Sequence, residues 1–342
     1  MSETLRPDQI PELLRRHQSG RILLTTHLRP DGDALGALCG TLLLLRRQGF
    51  HADAILPDSI PDYFRDFLPE EGLLNETDAD LSDCSLLIVL DTSRRDRISA
   101  AFAASGSPLP FPMLVIDHHP DNPRYGQWNC IVPTAAAASE IIADMAFSAA
   151  WEMPSSAATH LLIGILTDSG SFRFMNTAPE TLRIAAKLME AGGEYHRVMT
   201  ACYFSKPENM ARFEADLLCN HLKKAFDGKF IYAFFSPELL RKYSIELRNT
   251  EQVIEILRAV SGPLIAATVR MEGNTFKCSL RSKDRRYSVG RIARAIGGGG
   301  HEMAAGCTIA VPTFDKAERI LLEHVEKELY ENSSGQTSFA DL

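Results

Sequence analysis

The chain has no C-x-x-C pair, no apolar run approaching the ~18 residues that a membrane span needs, and no surplus of positive charge. Its seven cysteines, at 39, 84, 130, 202, 219, 278 and 307, are an odd set without metal-binding spacing. Neither a disulfide framework nor a thiolate zinc site is therefore expected, and a reducing cytoplasm fits. The opening stretch MSETLRPDQIPELLRRHQSG is polar and lacks the apolar segment of a secretion signal, so neither export nor a membrane partner is expected. A formal charge of -8 excludes coating of long duplex nucleic acid by bulk electrostatics, so any basic site must be local. There is no internal repeat, Walker loop, nucleophile elbow or dinucleotide fingerprint.

What is present is enough for two domains: 342 residues exceed the usual ~100 to 200 per domain, and 45% hydrophobic content supplies the cores. From residue 21 to about 190, the runs RILLTTH, HADAILP, SLLIVLD and MLVIDHH are apolar nearly throughout and alternate with helical patterns. Such runs predict an α/β domain built on a parallel sheet covered on both faces. The segment HLLIGILTDSGSFRF, 160 to 174, reads as a buried helix or strand delivering Asp168 into a Ser/Gly turn. Helix-stop glycines in LMEAGGEY close this domain at 195, and residues 196 to 215 read as a helical linker. Residues 216 to 330 then read as a smaller α/β domain, in which KFIYAFFS, LIAATVRM and TFKCSLRS alternate as half-buried antiparallel strands do. An amphipathic helix at roughly 313 to 330 closes it, and the polar tail 331 to 342 is expected to fray.

In a parallel sheet, ligands gather beyond the carboxyl ends of the strands. That is where His27, Asp31, Asp33, Asp91, Asp117, His118, His119 and Asp168 fall. Asp33 ahead of ALGALCGTLLLLRR could by itself be a helix cap, and His160 and His196 by themselves are ordinary core or surface residues. Recurrence at one sheet edge changes the weighing: carboxylates packed together raise one another's pKa unless positive charge lies between them. Divalent cations supply it, and enough ligands exist for two metals sharing one aspartate, the usual device for displacement at phosphorus. Carboxylates with some imidazole suit manganese or magnesium, with zinc or cobalt less favoured; two divalent ions, manganese first and magnesium or cobalt as alternatives, are the expected cofactors.

The stretches THLRPDGDALGA, VLDTS, VIDHHPDNPR and GILTDSGSFRFMNT resemble the four motifs of the DHH phosphoesterase superfamily, and SLRSKDRRYSVGRIARAIGGGGHEMAAGC resembles its DHH-associated C-terminal domain. The resemblance spans roughly residues 20 to 310 and points to the nanoRNase and pAp-phosphatase branch, relatives of the RecJ exonucleases. It implies that His27 and Asp31 bind one metal, that Asp33, His118 and Asp168 bind the other, and that Asp91 bridges them. It further implies that Asp117 orients a ligand imidazole and that His119 faces the substrate phosphate. Many relatives carry Asn where Arg29 stands here.

The run GGGGH ahead of a short segment expected to be helical could be a flexible turn, but glycines also let backbone N–H groups close around an anion. Six basic side chains precede it, Arg281, Lys283, Arg285, Arg286, Arg291 and Arg294, against one acid, Asp284, a local excess of +5. The resemblance implies that Arg281, the loop Gly298, Gly299 and Gly300, and His301 hold the far end of a nucleotide, with the active site in a cleft between the domains. The expected activity is hydrolysis of oligoribonucleotides two to five residues long, or of linear dinucleotides, to nucleoside monophosphates. A 3',5'-bisphosphoadenosine phosphatase and a cyclic-dinucleotide phosphodiesterase are alternatives within the same chemistry. A DHH-type inorganic pyrophosphatase fits the C-terminal part less well, and a noncatalytic nucleotide-binding module is the contrasting class. A homodimer is the expected state.

Overall fold

The computed structural model describes residues 2–56, 60–75, 80–98, 102 and 109–330, and the chain divides into two units, Met1–Ser205 and Lys206–Leu342. The tail expected to fray lies outside the described residues. All seven cysteines are free, and among the described residues no helix is long and apolar enough to cross a membrane.

The first unit is built on seven parallel strands: β1 (Glu3–Thr4), β2 (Arg21–Thr25), β3 (Ala52–Leu56), β4 (Leu73–Asn75), β5 (Cys84–Leu90), β6 (Met113–Asp117) and β7 (Trp128–Ile131). Their order is β1-β7-β6-β5-β2-β3-β4, so the chain steps one way from β2 to β4 and returns to β2's other side with β5. The switch point between β2 and β5 is where such sheets open a crevice at their carboxyl ends. Alternate residues of the apolar runs serve different cores. Ile22, Leu24, Ile88, Leu114 and Ile116 pack with the helices, while Leu23, Leu87, Val89, Met113 and Val115 pack with Ile98, Phe102 and Phe111. Burial on both faces is why these strands are continuously apolar.

The helices with described bounds in this unit are α1 (Ile10–Arg16), α2 (Gly32–Arg47), α3 (Ala138–Ser148), α4 (Ser155–Asp168), α5 (Pro179–Glu190) and α6 (Tyr195–Tyr203). The segment left open between helix and strand is thus α4, with Asp168 as its last residue. Helices α2 and α4 approach closely because glycine faces helix at the crossing. A Cβ on Gly36 would stand 2.5 Å from the His160 carbonyl oxygen, and one on Gly164 would stand 2.5 Å from Asp33 Oδ1.

The second unit carries six strands, β8 (Leu222–Ala225), β9 (Phe230–Phe235), β10 (Ile265–Glu272), β11 (Thr275–Ser282), β12 (Gly299–Gly300) and β13 (Ala304–Ile309), in the order β12-β13-β11-β10-β9-β8. Its helices are α7 (Glu208–Asn220), α8 (Pro237–Lys242), α9 (Ile254–Arg258), α10 (Val289–Ala295) and α11 (Phe314–Tyr330). One sheet face packs on α10 and α11, the other on α7 to α9. The expected all-antiparallel strand set is corrected here: β10 and β11 form an antiparallel hairpin, but β9 runs parallel to β10. Helices α8 and α9 provide the crossover that a parallel pair requires.

Candidate metal centre

Beyond β2, the His27 ring is buried and its Nδ1 lies 2.9 Å from the Leu28 carbonyl oxygen. A carbonyl only accepts, so Nδ1 carries the proton and Nε2 is turned to the carboxylates, 3.9 Å from Asp31 Oδ1 and 3.6 Å from Asp91 Oδ2. Asp31 rather than Asp33 caps α2: its Oδ1 accepts from the backbone N–H groups of Asp33 and Ala34, each at 3.1 Å. Asp33, in the first turn of α2, is buried, and its carboxylate accepts from the N–H groups of Ala138 at 2.6 Å and Ser139 at 3.0 Å at the start of α3. A helix N-terminus is a favourable seat for that anion.

Asp91 follows β5 with φ of +52°, a left-handed conformation that Asp tolerates better than most residues. His118, just past β6, places Nε2 3.4 Å from Asp91 Oδ1, 3.5 Å from Asp168 Oδ2 and 4.0 Å from Asp33 Oδ2. Two sets therefore form, His27 with Asp31 and Asp91, and Asp33 with His118 and Asp168; within each set the potential ligand atoms lie within 4.8 Å of one another. Asp91 turns one oxygen to each set, and its buried Oδ1 has no hydrogen-bond partner. An orphaned carboxylate oxygen is costly unless a cation completes it. The donors, carboxylate oxygen and imidazole nitrogen without sulfur, suit hard to intermediate divalent ions.

The electrostatics show the same demand for positive charge. Burial, reinforced by the charges of Asp91 and Asp168, pushes Asp33 well above the carboxylate range. Withdrawal from water raises Asp168 to about 6, with the charges of Asp31 and Asp91 adding to it. Burial would also raise Asp91, but His118 and His27 hold it well below its usual value. Burial would lower His27 and His118; the surrounding aspartates raise both instead.

Asp117 is saturated. Its Oδ1 accepts from the His118 and His119 backbone N–H groups at 2.8 and 3.3 Å and from His119 Nδ1 at 2.7 Å, and its Oδ2 accepts from Asn122 Nδ2 at 2.6 Å. The imidazole that it orients is thus His119, a correction to the expected contact with a ligand imidazole. Burial lowers His119, but Asp117 and Asp91 outweigh it and raise the ring to about 9. Sequence reasoning passed over Asn122, which also donates to the Thr92 carbonyl at 3.1 Å and so ties the loops after β5 and β6 together. His160 belongs to neither set: its ring nitrogens lie 2.7 and 2.6 Å from the Ser156 and Phe67 carbonyl oxygens, and His196 is exposed.

In the second unit, Arg281 on β11 pairs in register with Ala304, and Gly300 with Ala305, so Arg281, the glycine loop and His301 collect at one end of the sheet. Gly298 must be glycine, since a Cβ there would stand 2.6 Å from Cys307 Cα. The loop follows helix α10 and leads into strand β13, not into the expected helical segment. Two of the five excess charges are offset by distant acids: Arg281 pairs with Glu255 at 2.7 Å and Arg291 with the buried Glu328 at 2.5 Å, while Arg286 takes Asp284, the acid already counted, at 2.5 Å.

A glycine loop in one unit and paired carboxylate–imidazole sets in the other stand together in this chain, and two family models match it. Residues 21–165 match the DHH family, N-terminal domain, and residues 227–330 match the DHHA1 domain. The chain belongs to the DHH family. It is 31% identical to the bifunctional oligoribonuclease and PAP phosphatase NrnA of Thermus thermophilus, over 91% of this chain and 90% of that one. It is 28% identical to the protein of the same name from Bacillus subtilis, over 88% and 93%. The fold also matches the crystal structure of an exopolyphosphatase-related protein from Bacteroides fragilis, with a TM-score of 0.83, 22% identity and coverage of 94% and 95%.

Proposed function

We propose that the protein is a two-metal phosphoesterase that cleaves short oligoribonucleotides and linear dinucleotides of the pApA or pGpG type to nucleoside monophosphates. The observation that carries this reading is Asp91, whose two carboxylate oxygens are divided between two ligand sets with Oδ1 left unbonded. The names of the Thermus and Bacillus relatives support the substrate class and favour a second activity at the same centre, removal of phosphate from 3',5'-bisphosphoadenosine.

His27 and Asp31 would hold one cation and Asp33, His118 and Asp168 the other, with Asp91 serving both sets. Manganese is the metal expected from this donor set, with magnesium or cobalt as substitutes. Bound there, the pair would acidify water and neutralise charge developing on phosphoryl oxygens. His119, anchored through Nδ1 by Asp117, directs its other ring nitrogen as a donor to a non-bridging oxygen. Water attacks phosphorus and the bond to the departing oxygen breaks, with no covalent enzyme intermediate. Residues 1–195 carry the hydrolytic centre; in residues 216–330, Arg281, Gly298, Gly299, Gly300 and His301 bind substrate phosphate. The protein works in the cytoplasm, where seven free thiols are at home, and as a homodimer.

The test is manganese-supported turnover of pApA, 3',5'-bisphosphoadenosine and a cyclic dinucleotide in parallel, with Asp91→Ala as control. Mononucleotide from the first and inorganic phosphate from the second are expected, both lost in the variant. Ring opening in preference to either would move the activity to cyclic dinucleotides. Equal behaviour of wild type and variant on all three would end the two-metal reading.

A further inference from the structure

We propose that Glu255 is a positioning residue that holds the Arg281 guanidinium in the orientation that receives substrate phosphate; this rests on the reading of Arg281 as a substrate-binding residue. Phe276, Cys278 and Leu280 on β11 face the core under α10 and α11, so Arg281 projects from the opposite sheet face, toward α9. Glu255 lies in the first turn of α9, and its Oε1 accepts from Arg281 Nε at 2.7 Å. Arg281 Nη1 donates to the Leu280 carbonyl at 3.1 Å, while Nη2 has no acceptor among the described residues. Two bonds thus fix the plane of the fork and leave one donor group for an anion.

Glu255 is itself held in place. Its Oε2 lies 3.4 Å from Arg258 Nη1, and Lys283 reaches the Val260 carbonyl just beyond the same helix. Arg258 and Arg281 thus flank one carboxylate, and Arg258 was not foreseen from the sequence because it lies 23 residues before Arg281. The side chains of Glu255 and Arg281 are 31% and 22% exposed, so their pairing is only partly screened by water.

Two effects of Glu255 on phosphate binding oppose each other. Its charge repels the incoming anion, whereas its bond to Nε removes the need to immobilise a long side chain when substrate binds. If charge dominates, every neutral substitution tightens binding. If positioning dominates, the effect follows the oxygen and not the charge.

The experiment compares KM and kcat for pApA among wild type, Glu255→Gln, Glu255→Asp, Glu255→Ala, Arg281→Ala and the Glu255→Ala/Arg281→Ala double variant, with melting temperature as the folding control. Glu255→Gln retains an oxygen for Nε and keeps KM at or below the wild-type value. Glu255→Asp keeps the charge but withdraws the oxygen by one methylene, and like Glu255→Ala it raises KM about tenfold with kcat nearly constant. The double variant is no worse than Arg281→Ala, since the carboxylate acts through the arginine. A fall in KM for both Ala and Gln would show charge alone, and additivity in the double variant would show action elsewhere; either overturns the proposal. An unchanged KM in Arg281→Ala removes the substrate-binding role of Arg281 itself, and the positioning role falls with it.

Discussion

A carboxylate drawn partly out of water and surrounded by its own kind resists ionisation, and Asp168 stands in that position with its pKa raised to about 6. A carboxyl raised in this way penalises the folded state while it is charged. The penalty is present above about 6 and fades as pH falls through that value toward the unfolded one. Without metal, then, Asp168→Asn is expected to melt a few degrees higher than wild type above neutrality, a rough scale for ~1 kcal/mol in a chain of this size. The difference should shrink as pH falls through about 6. With manganese the order reverses, because a cation favours the charged form and the amide is a weaker ligand. Melting curves across pH, in chelator and in manganese, read both arms; a variant that melts lower than wild type in chelator at every pH would contradict the account. Around the centre, residue types at strand ends were legible as a group. What Asp117 grips was not, because its choice of His119 over His118 depends on ring orientation, and Asn122 became visible only when two loops met.

At the scale of elements, two helices bring Asp33 and Asp168 toward His118, and glycine sets how near they come. Gly164 faces Asp33 and Ser139, and Gly36 faces the backbone of α4, with no room for a methyl group at either place. Alanine at 164 must therefore push α4 away from Ser139 of α3 and Asp33 of α2. The expected cost is ~1–3 kcal/mol, the usual range for overpacking a close contact. The second consequence is specific to the site: Asp168 moves with α4, so manganese affinity falls by more than the loss of stability explains. Urea unfolding in chelator and a manganese titration of the folded protein separate the two, and unchanged affinity would show that the helix spacing does not set the ligand spacing. The parallel runs of the first sheet were legible because burial on both faces leaves no polar interruption. The second sheet was less so: β9 and β10 are buried on both faces and read alike whether parallel or antiparallel, and only the crossover through α8 and α9 decides.

At the scale of the molecule, charge sets what can be bound. The chain carries -8 overall, and two arginines of its apparent basic stretch are neutralised by acids distant in sequence, Glu255 for Arg281 and Glu328 for Arg291. Such pairs, 26 and 37 residues apart, leave no periodic trace, which is why the local count of arginines overstated the free charge. Affinity for a polymer backbone grows with each phosphate neutralised and falls steeply with salt, whereas a site that grips one or two phosphates shows both trends only weakly. Lengthening the substrate therefore adds phosphates that meet no compensating cations and repel an acidic surface. Turnover of 5'-phosphorylated oligoadenylates of two, five, ten and twenty residues should show kcat/KM greatest for the shortest and falling with length. The dinucleotide's KM should change only a few-fold between ~50 and ~200 mM salt, against the ~10³ or more expected of a protein contacting many phosphates. A rise of kcat/KM with length, or a steep salt dependence for the dinucleotide, would mean that an extended basic surface binds the chain and that the short-substrate reading is wrong.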